Sequence, residues 1–201
     1  MSLFSRISNK LRAITQSRGT SSMKRAIWNK EFSSGSWNHI AETQGDFVYA
    51  VIARYMGDGA LVDLGCGVGS TGIELPAGSY RQYTGVDISD VALMQARSNA
   101  EKAGRASANH YVQADIETFL PAEPVDVILL RECLYYIPKG RVPAMLSRLA
   151  ARLKPRGVVL IRLFDRDAYA EYVQIIKDTL QLVEEVHAPD SKAVTLACRA
   201  R

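Results

Sequence analysis

Cysteine is scarce in this chain of 201 residues, and long apolar runs are missing. Cys66, Cys133 and Cys198 are widely spaced and form no CxxC pair, which argues against a disulfide framework or a zinc site and favours a reducing compartment. No run approaches the roughly 18 apolar residues of a membrane span. We therefore expect one globular, cytoplasmic protein without a metal site, and its 47% apolar residues suffice for a core.

Acidic residues are absent from residues 1–30, which carry seven basic side chains. Since the whole chain has 25 Lys and Arg and 21 Asp and Glu, the remainder carries 18 basic and 21 acidic groups. A nucleic-acid-binding domain more often spreads its basic surface over the folded part. The net charge of +4 is therefore weak evidence for a nucleic-acid partner.

The N-terminal arm, residues 1–22, has apolar residues at helical spacing among basic ones, which predicts a basic amphipathic helix. Three interpretations remain open for it. The arm packs on the domain or is a disordered tail, or residues 1–16 bind an anionic membrane surface and make the protein membrane-peripheral, or the arm is an organelle transit peptide. The apolar residues are Leu3, Phe4, Ile7, Leu11 and Ile14.

A lid segment, residues 23–44, holds both tryptophans, Trp28 and Trp37, outside any periodic pattern. We expect a loop here, whose aromatic rings either cover a core edge or line a ligand pocket. His39 is a candidate catalytic base delivered by this segment, and the alternative is a surface or core histidine. If the segment does not cover the site, the site is open.

From residue 45 onwards, short apolar strands alternate with amphipathic helices, which predicts a catalytic domain over residues 45–201. Ser89 is expected to cap a helix that runs to Gly104. The alternation is typical of an α/β, Rossmann-like, mostly parallel sheet with helices on both faces. Strands are predicted over 60–64, 83–87, 110–113, 125–130, 158–164, 182–187 and 193–198, the last two as an antiparallel hairpin.

A glycine-rich turn follows the first predicted strand, where a doubly wound sheet binds its ligand. Gly65, Gly67 and Gly69 allow a tight turn and a close approach of a ligand. A dinucleotide fingerprint would need a glycine at Ser70, and Asp63 would repel a pyrophosphate. The pattern therefore disfavours a nicotinamide cofactor and favours a ligand that carries positive charge.

Two further acids end the next two strands. Asp87 can accept both hydroxyls of a ribose. Asp115 can accept from an adenine amino group, beside Ile116, which can cover the ring. Each acid alone could instead cap the following turn, but the three strand-end acids around a glycine loop form a strong signal.

Five segments resemble the successive motifs of class I S-adenosylmethionine-dependent methyltransferases. The resemblance implies a seven-stranded sheet with an antiparallel last strand, and S-adenosylmethionine as cofactor. It implies that Asp63 and the loop hold the methionine end, that Asp87 binds the ribose, and that Asp115 binds the adenine amino group. The segments are 62–69, 83–89, 113–116, 126–137 and 153–158, and the implied cofactor residues are Asp63, Gly65, Cys66, Gly67, Gly69, Asp87, Ile88, Asp115, Ile116 and Arg131.

The transfer step is expected at the end of the fourth strand. The segment from Glu132 to Ile137 resembles the E-x-L-Y-Y segment of bacterial small-molecule methyltransferases, including nodulation-type N-methyltransferases and enzymes of sugar pathways. Glu132 could hold an ammonium, accept a proton or bind the cofactor's amino group, or it is a buried acid paired with Arg131 or Arg162. Tyr135 and Tyr136 either line the bottom of the acceptor pocket or belong to the core.

The leading hypothesis is a methyltransferase that acts on N or O of a small-molecule or saccharide acceptor. One alternative is an RNA or protein methyltransferase guided by the basic arm. The other is a non-catalytic scaffold that binds the cofactor.

Overall fold

The structure is a computed structural model that describes residues 19–34, 43, 45–56, 59–189 and 191–201. Its centre is a sheet of seven strands, as predicted. The strands are β1 (Ala60–Leu64), β2 (Gln82–Asp87), β3 (Asn109–Gln113), β4 (Val125–Arg131), β5 (Leu153–Leu163), β6 (Gln181–His187) and β7 (Val194–Arg199). Their order in the sheet is β3-β2-β1-β4-β5-β7-β6.

Strand direction confirms the predicted fold class. The strands from β3 to β5 pair in parallel, whereas β7 is antiparallel to both β5 and β6. The carboxyl ends of β1 to β5 therefore meet at one edge of the sheet, where such folds place their ligands.

Helices cover both faces of the sheet. They are α1 (Ser21–Ser33), α2 (Val48–Met56), α3 (Ser70–Glu74), α4 (Asp90–Lys102), α5 (Val142–Ala150) and α6 (Ala170–Thr179), with 3-10 turns over Leu134–Tyr136 and Lys139–Arg141. Ser89 caps α4 as predicted, since its hydroxyl accepts from the backbone N–H of Ala92 at 3.1 Å.

Alternate residues of each strand point to opposite faces, so the core has two layers. Leu61 packs with the buried face of α2, and Val62 and Leu64 pack with α5 and α6. By the same alternation, Asp63 and Arg131 lie on the α2 side at the carboxyl end of the sheet.

The expectation of a loop around Trp28 is wrong, because residues 21–33 form helix α1. Its apolar residues are too few to show a periodic pattern, and polar contacts dock it on the start of α4. Arg25 Nε and Asn29 Nδ2 donate to Asp90 Oδ1 at 2.8 and 2.7 Å. The helix crosses the boundary predicted at residue 22.

Strand β5 begins at Leu153, five residues before the predicted start. Pro155 and Gly157 predicted that no strand would begin before Val158. The pairing of β4 with β5 is instead irregular: Val125 pairs with Leu153, and Val127 pairs with Val158. Residues 1–18, Trp37 and His39 lie outside the described residues.

Candidate active site

A cavity of about 480 Å³ opens at the carboxyl ends of the central strands. Eleven of the thirteen predicted site residues line it. Gly69 does not line it, and His39 is outside the described residues. The eleven are Asp63, Gly65, Cys66, Gly67, Asp87, Ile88, Asp115, Ile116, Arg131, Glu132 and Tyr135.

The glycine loop needs residues without a side chain at two places. Gly65, Gly67 and Gly69 have φ angles of +73°, +53° and +78°, in the left-handed region, and a Cβ would be crowded at Gly65 and Gly69. A Cβ at Gly69 would lie 2.8 Å from Tyr111 Oη and 3.0 Å from Ala96 Cβ. Gly69 therefore allows the loop to pack against α4 and β3, rather than contacting a ligand.

Asp87 is buried at the end of β2, with 7% of its surface exposed. Its carboxylate accepts from the backbone N–H groups of Gly67 at 3.0 Å and Ser89 at 2.9 Å. Burial raises the pKa of Asp87 to about 6, although these N–H donors oppose the shift. Each oxygen retains capacity to accept another donor from the cavity.

Asp63 and Arg131 form a second polar group, at the ends of β1 and β4. Asp63 accepts from Tyr83 Oη at 2.8 Å, and burial raises the pKa of its carboxyl group while Arg131 opposes the shift. Arg131 donates to Tyr49 Oη at 2.9 Å and lies 4.0 Å from Asp46. A carboxylate and a guanidinium thus face the cavity side by side.

Asp115 already has a charged partner from α1. Lys24 Nζ lies 2.9 Å from Asp115 Oδ2 and 3.3 Å from Glu117 Oε2. Sequence reasoning missed Lys24, because it lies 91 residues from Asp115 in the chain. Its spacing of four residues from Trp28, and of eight from Phe32, is the signal that could have shown one helical face.

Glu132 has the one positive φ among the described residues other than glycine, +56°. Its Oε1 accepts from the Arg162 guanidinium, and its Oε2 accepts from Tyr135 Oη and the Phe164 N–H, both at 3.1 Å. The pairing is with Arg162 rather than Arg131. Burial raises the pKa of Glu132, and Arg162 opposes that shift. The left-handed backbone of Glu132 is strained, and such strain persists where the surrounding contacts, here the three hydrogen bonds of its side chain, fix the conformation.

Five aromatic rings line the side of the cavity beyond β4 and β5, and we call them the aromatic wall. Tyr135 stacks on Tyr169 with ring centroids 4.3 Å apart, and the Trp28 ring meets Tyr136 edge-on at 4.9 Å. Phe164 lies 5.4 Å from Tyr169. The two tyrosines after β4 therefore line the cavity, and Tyr169 is a lining residue that sequence reasoning missed.

The described part of the chain lacks both a metal site and a membrane-spanning helix. No group of His, Cys, Asp and Glu side chains there is arranged to hold a metal ion. None of the helices described above is both long enough and apolar enough to cross a membrane.

Comparison with known proteins relates this geometry to one kind of enzyme. A family described as a methyltransferase domain matches residues 61–157. Trans-aconitate 2-methyltransferase of Enterobacter sp. (strain 638) is 34% identical over 106 residues, 52% of this chain and 39% of that protein. Ubiquinone biosynthesis O-methyltransferase of Rhodopseudomonas palustris (strain BisB5) is 30% identical over 107 residues, 53% of this chain and 40% of that protein. The chain thus spans about two fifths of the length of each.

A solved structure shows the same fold over most of the chain. The N-methyltransferase NodS from Bradyrhizobium japonicum WM9, in complex with S-adenosyl-l-homocysteine, superposes with a TM-score of 0.68 at 18% identity. The match covers 88% of this chain and 97% of NodS. The match of residues 61–157 to a methyltransferase domain and the fold shared with NodS thus support the resemblance to the class I S-adenosylmethionine-dependent methyltransferases.

Proposed function

We propose that this chain transfers a methyl group from S-adenosylmethionine to a nitrogen or oxygen atom of a small-molecule acceptor. One observation carries the proposal. The cavity has three strand-end acids around a glycine loop at one end and continues into the aromatic wall at the other. Two of the similar proteins are named for trans-aconitate and for ubiquinone biosynthesis, which supports a small-molecule acceptor here.

The polar end of the cavity fits the cofactor. Asp63 would bind the ammonium of the methionine moiety, and Arg131 its carboxylate, since the two side chains present opposite charges side by side. Asp87 would accept the ribose hydroxyls. Ile88 and Ile116 would enclose the adenine ring through apolar contacts. When bound, the cofactor supplies an activated methyl group on a sulfonium.

The aromatic end would align the acceptor with that methyl group. Most of the rate enhancement in such an in-line displacement can come from alignment in a cavity that excludes water. Glu132 already accepts from Arg162, Tyr135 and the Phe164 backbone. We therefore infer that Glu132 positions Tyr135 at the acceptor site and does not remove a proton. An acceptor amine would need only its exposed lone pair.

The experiment has two stages. Calorimetry first compares S-adenosylhomocysteine with NAD, and we expect binding of the former alone. Labelled S-adenosylmethionine is then incubated with the protein and a metabolite extract of the source organism, and mass spectrometry follows compounds that gain one CH2 unit. The Asp87→Asn variant is the control, because it keeps the shape of the side chain and removes its charge.

Each result bears on the proposal. A small-molecule product that the variant does not form would support it. Tighter binding of NAD, or no binding of S-adenosylhomocysteine, would overturn it. Binding without any methylated product would favour the non-catalytic scaffold, and transfer to RNA or protein in place of small molecules would favour an enzyme guided by the basic arm.

A further inference from the structure

Two faces of helix α1 make contacts with the rest of the protein: one lines the cavity, and the other binds the start of α4. Lys24, Trp28 and Phe32 are four residues apart and lie on the face that lines the cavity. Arg25 and Asn29 lie on the adjacent face and bond to Asp90 at the start of α4. The contacts of Arg25 and Asn29 with Asp90 therefore help to hold Lys24 in the cavity.

Lys24 is buried, with 6% of its surface exposed, which is costly for a lysine unless it is paired. Its partners are the carboxylates of Asp115 and Glu117, which both lie within 3.3 Å of the same Nζ atom. The ammonium thus places a positive charge at the cavity end where Asp115 and Ile116 lie.

The hydrogen bonds of Asp115 leave limited room for a ligand. A carboxylate has about four acceptor positions. Lys24 Nζ and Ser21 Oγ both donate to Oδ2, at 2.9 and 3.3 Å, and the Glu117 N–H donates to Oδ1 at 3.0 Å. One position on Oδ1 remains, and an ionised carboxylate can use it only to accept.

We propose that Lys24 is a positioning residue, which orients Asp115 so that its remaining acceptor position receives the exocyclic amino group of the cofactor's adenine. This inference rests on the proposed function, since it assumes an adenine at this end of the cavity. Lys24 offsets the repulsion between the Asp115 and Glu117 carboxylates and fixes which oxygen atom faces the cavity.

The test compares S-adenosylhomocysteine with S-inosylhomocysteine, in which a carbonyl oxygen replaces the exocyclic amino group. An acceptor at this place favours the amine and repels the carbonyl. We expect the protein to prefer the adenosyl ligand by tenfold or more, since a hydrogen bond to a charged group contributes about 1.5–3 kcal/mol. In Lys24→Met, that preference should fall by about tenfold.

Lys30→Met is the matched control, because Lys30 is a lysine on the same helix but is exposed to solvent and does not line the cavity. It should keep the preference. Circular dichroism confirms that each variant is folded. If Lys24→Met does not fold, Lys24→Gln replaces it, since it removes the charge and keeps a polar side chain.

The outcomes separate the two proposals. If Lys24→Met weakens both ligands equally, Lys24 is only structural and the inference is wrong. If the unmodified protein binds both ligands equally well, Asp115 does not contact the amino group; the inference then fails while the proposed function stands. If neither ligand binds, the proposed function itself fails.

Discussion

The two ends of the cavity are built in different ways. The end that we propose for the cofactor contains Asp63, Asp87 and Asp115, each at or just after the end of a strand, around a loop that follows the first of them. We call it the cofactor end. The acceptor end consists of the Glu132–Arg162 pair and the aromatic wall, whose rings come from α1, the turn after β4 and the segment before α6. The residues of the cofactor end can be recognised from their order along the chain, since each acid follows a strand. The residues of the acceptor end come together only when distant segments pack against one another.

The largest effect that tests this contrast is expected at Asp87. Asp87→Ala should weaken binding of S-adenosylhomocysteine by about a hundredfold, because two ribose hydroxyls lose a charged acceptor. Asp126→Ala is the control. Asp126 lies at the opposite end of the sheet, where its Oδ2 accepts from Ala60 N and Lys154 Nζ, both at 2.7 Å.

Calorimetry should show unchanged affinity in the Asp126 variant, together with a lower free energy of unfolding. Equal affinity losses in the two variants would show that Asp87 acts through stability and not through ligand contact.

The same contrast explains what could be predicted from the sequence. The strands and the meeting of the three acids at one cavity were predictable, because apolar runs, glycines and acids follow one another in the chain. That these acids bind the cofactor stays a prediction. Helix α1 was not predictable, because its contacts with Asp90 and Asp115 depend on residues 61 to 91 positions away. The pairing of Glu132 with Arg162 in preference to Arg131 depends on its left-handed backbone, which no neighbouring residue indicates.

The next effect concerns the loop itself. Gly69 and Gly78 share a φ of +78°, but a Cβ at Gly78 would have no heavy atom within 4 Å, whereas one at Gly69 would clash with Tyr111 and Ala96. Gly78→Ala should cost about 1 kcal/mol for the left-handed backbone. Gly69→Ala should lower the free energy of unfolding by about 2–3 kcal/mol, since overpacking adds to the same strain.

Urea denaturation measures both variants. Similar losses would mean that backbone strain alone requires glycine at position 69. A larger loss in Gly69→Ala, with weaker cofactor binding, would show that packing behind the cavity supports the cofactor end.

At the acceptor end, Glu132→Gln should lower the free energy of unfolding by about 2 kcal/mol. This is less than the roughly 3–5 kcal/mol for a fully buried pair, because the Arg162 and Glu132 side chains are 16% and 21% exposed. Glu171→Gln, in the exposed pair with Lys139, should cost at most about 0.5 kcal/mol. Binding of S-adenosylhomocysteine should change little in both variants, and a large loss in Glu132→Gln would contradict the separation of the two ends.

The smallest expected effect is a pH dependence confined to the cofactor end. Since the pKa of Asp87 is raised to about 6, the free protein holds a proton on this carboxyl group below pH 6. Ribose hydroxyls need the ionised form as an acceptor. Affinity for S-adenosylhomocysteine should therefore rise by about tenfold between pH 5 and pH 7, and then level off.

Stability should change in the opposite direction, and this provides a second test. The folded protein binds the Asp87 proton more tightly than the unfolded chain, whose carboxyl group keeps its ordinary pKa near 3.8. The contribution of Asp87 to the free energy of unfolding is therefore fully present below about pH 4 and is lost as the pH rises through 6. Burial also raises the pKa values of Asp63 and Glu132, but both remain in Asp87→Asn. The difference in stability between the protein and this variant thus isolates Asp87. Identical pH profiles of stability would show that the folded protein does not raise the pKa of Asp87.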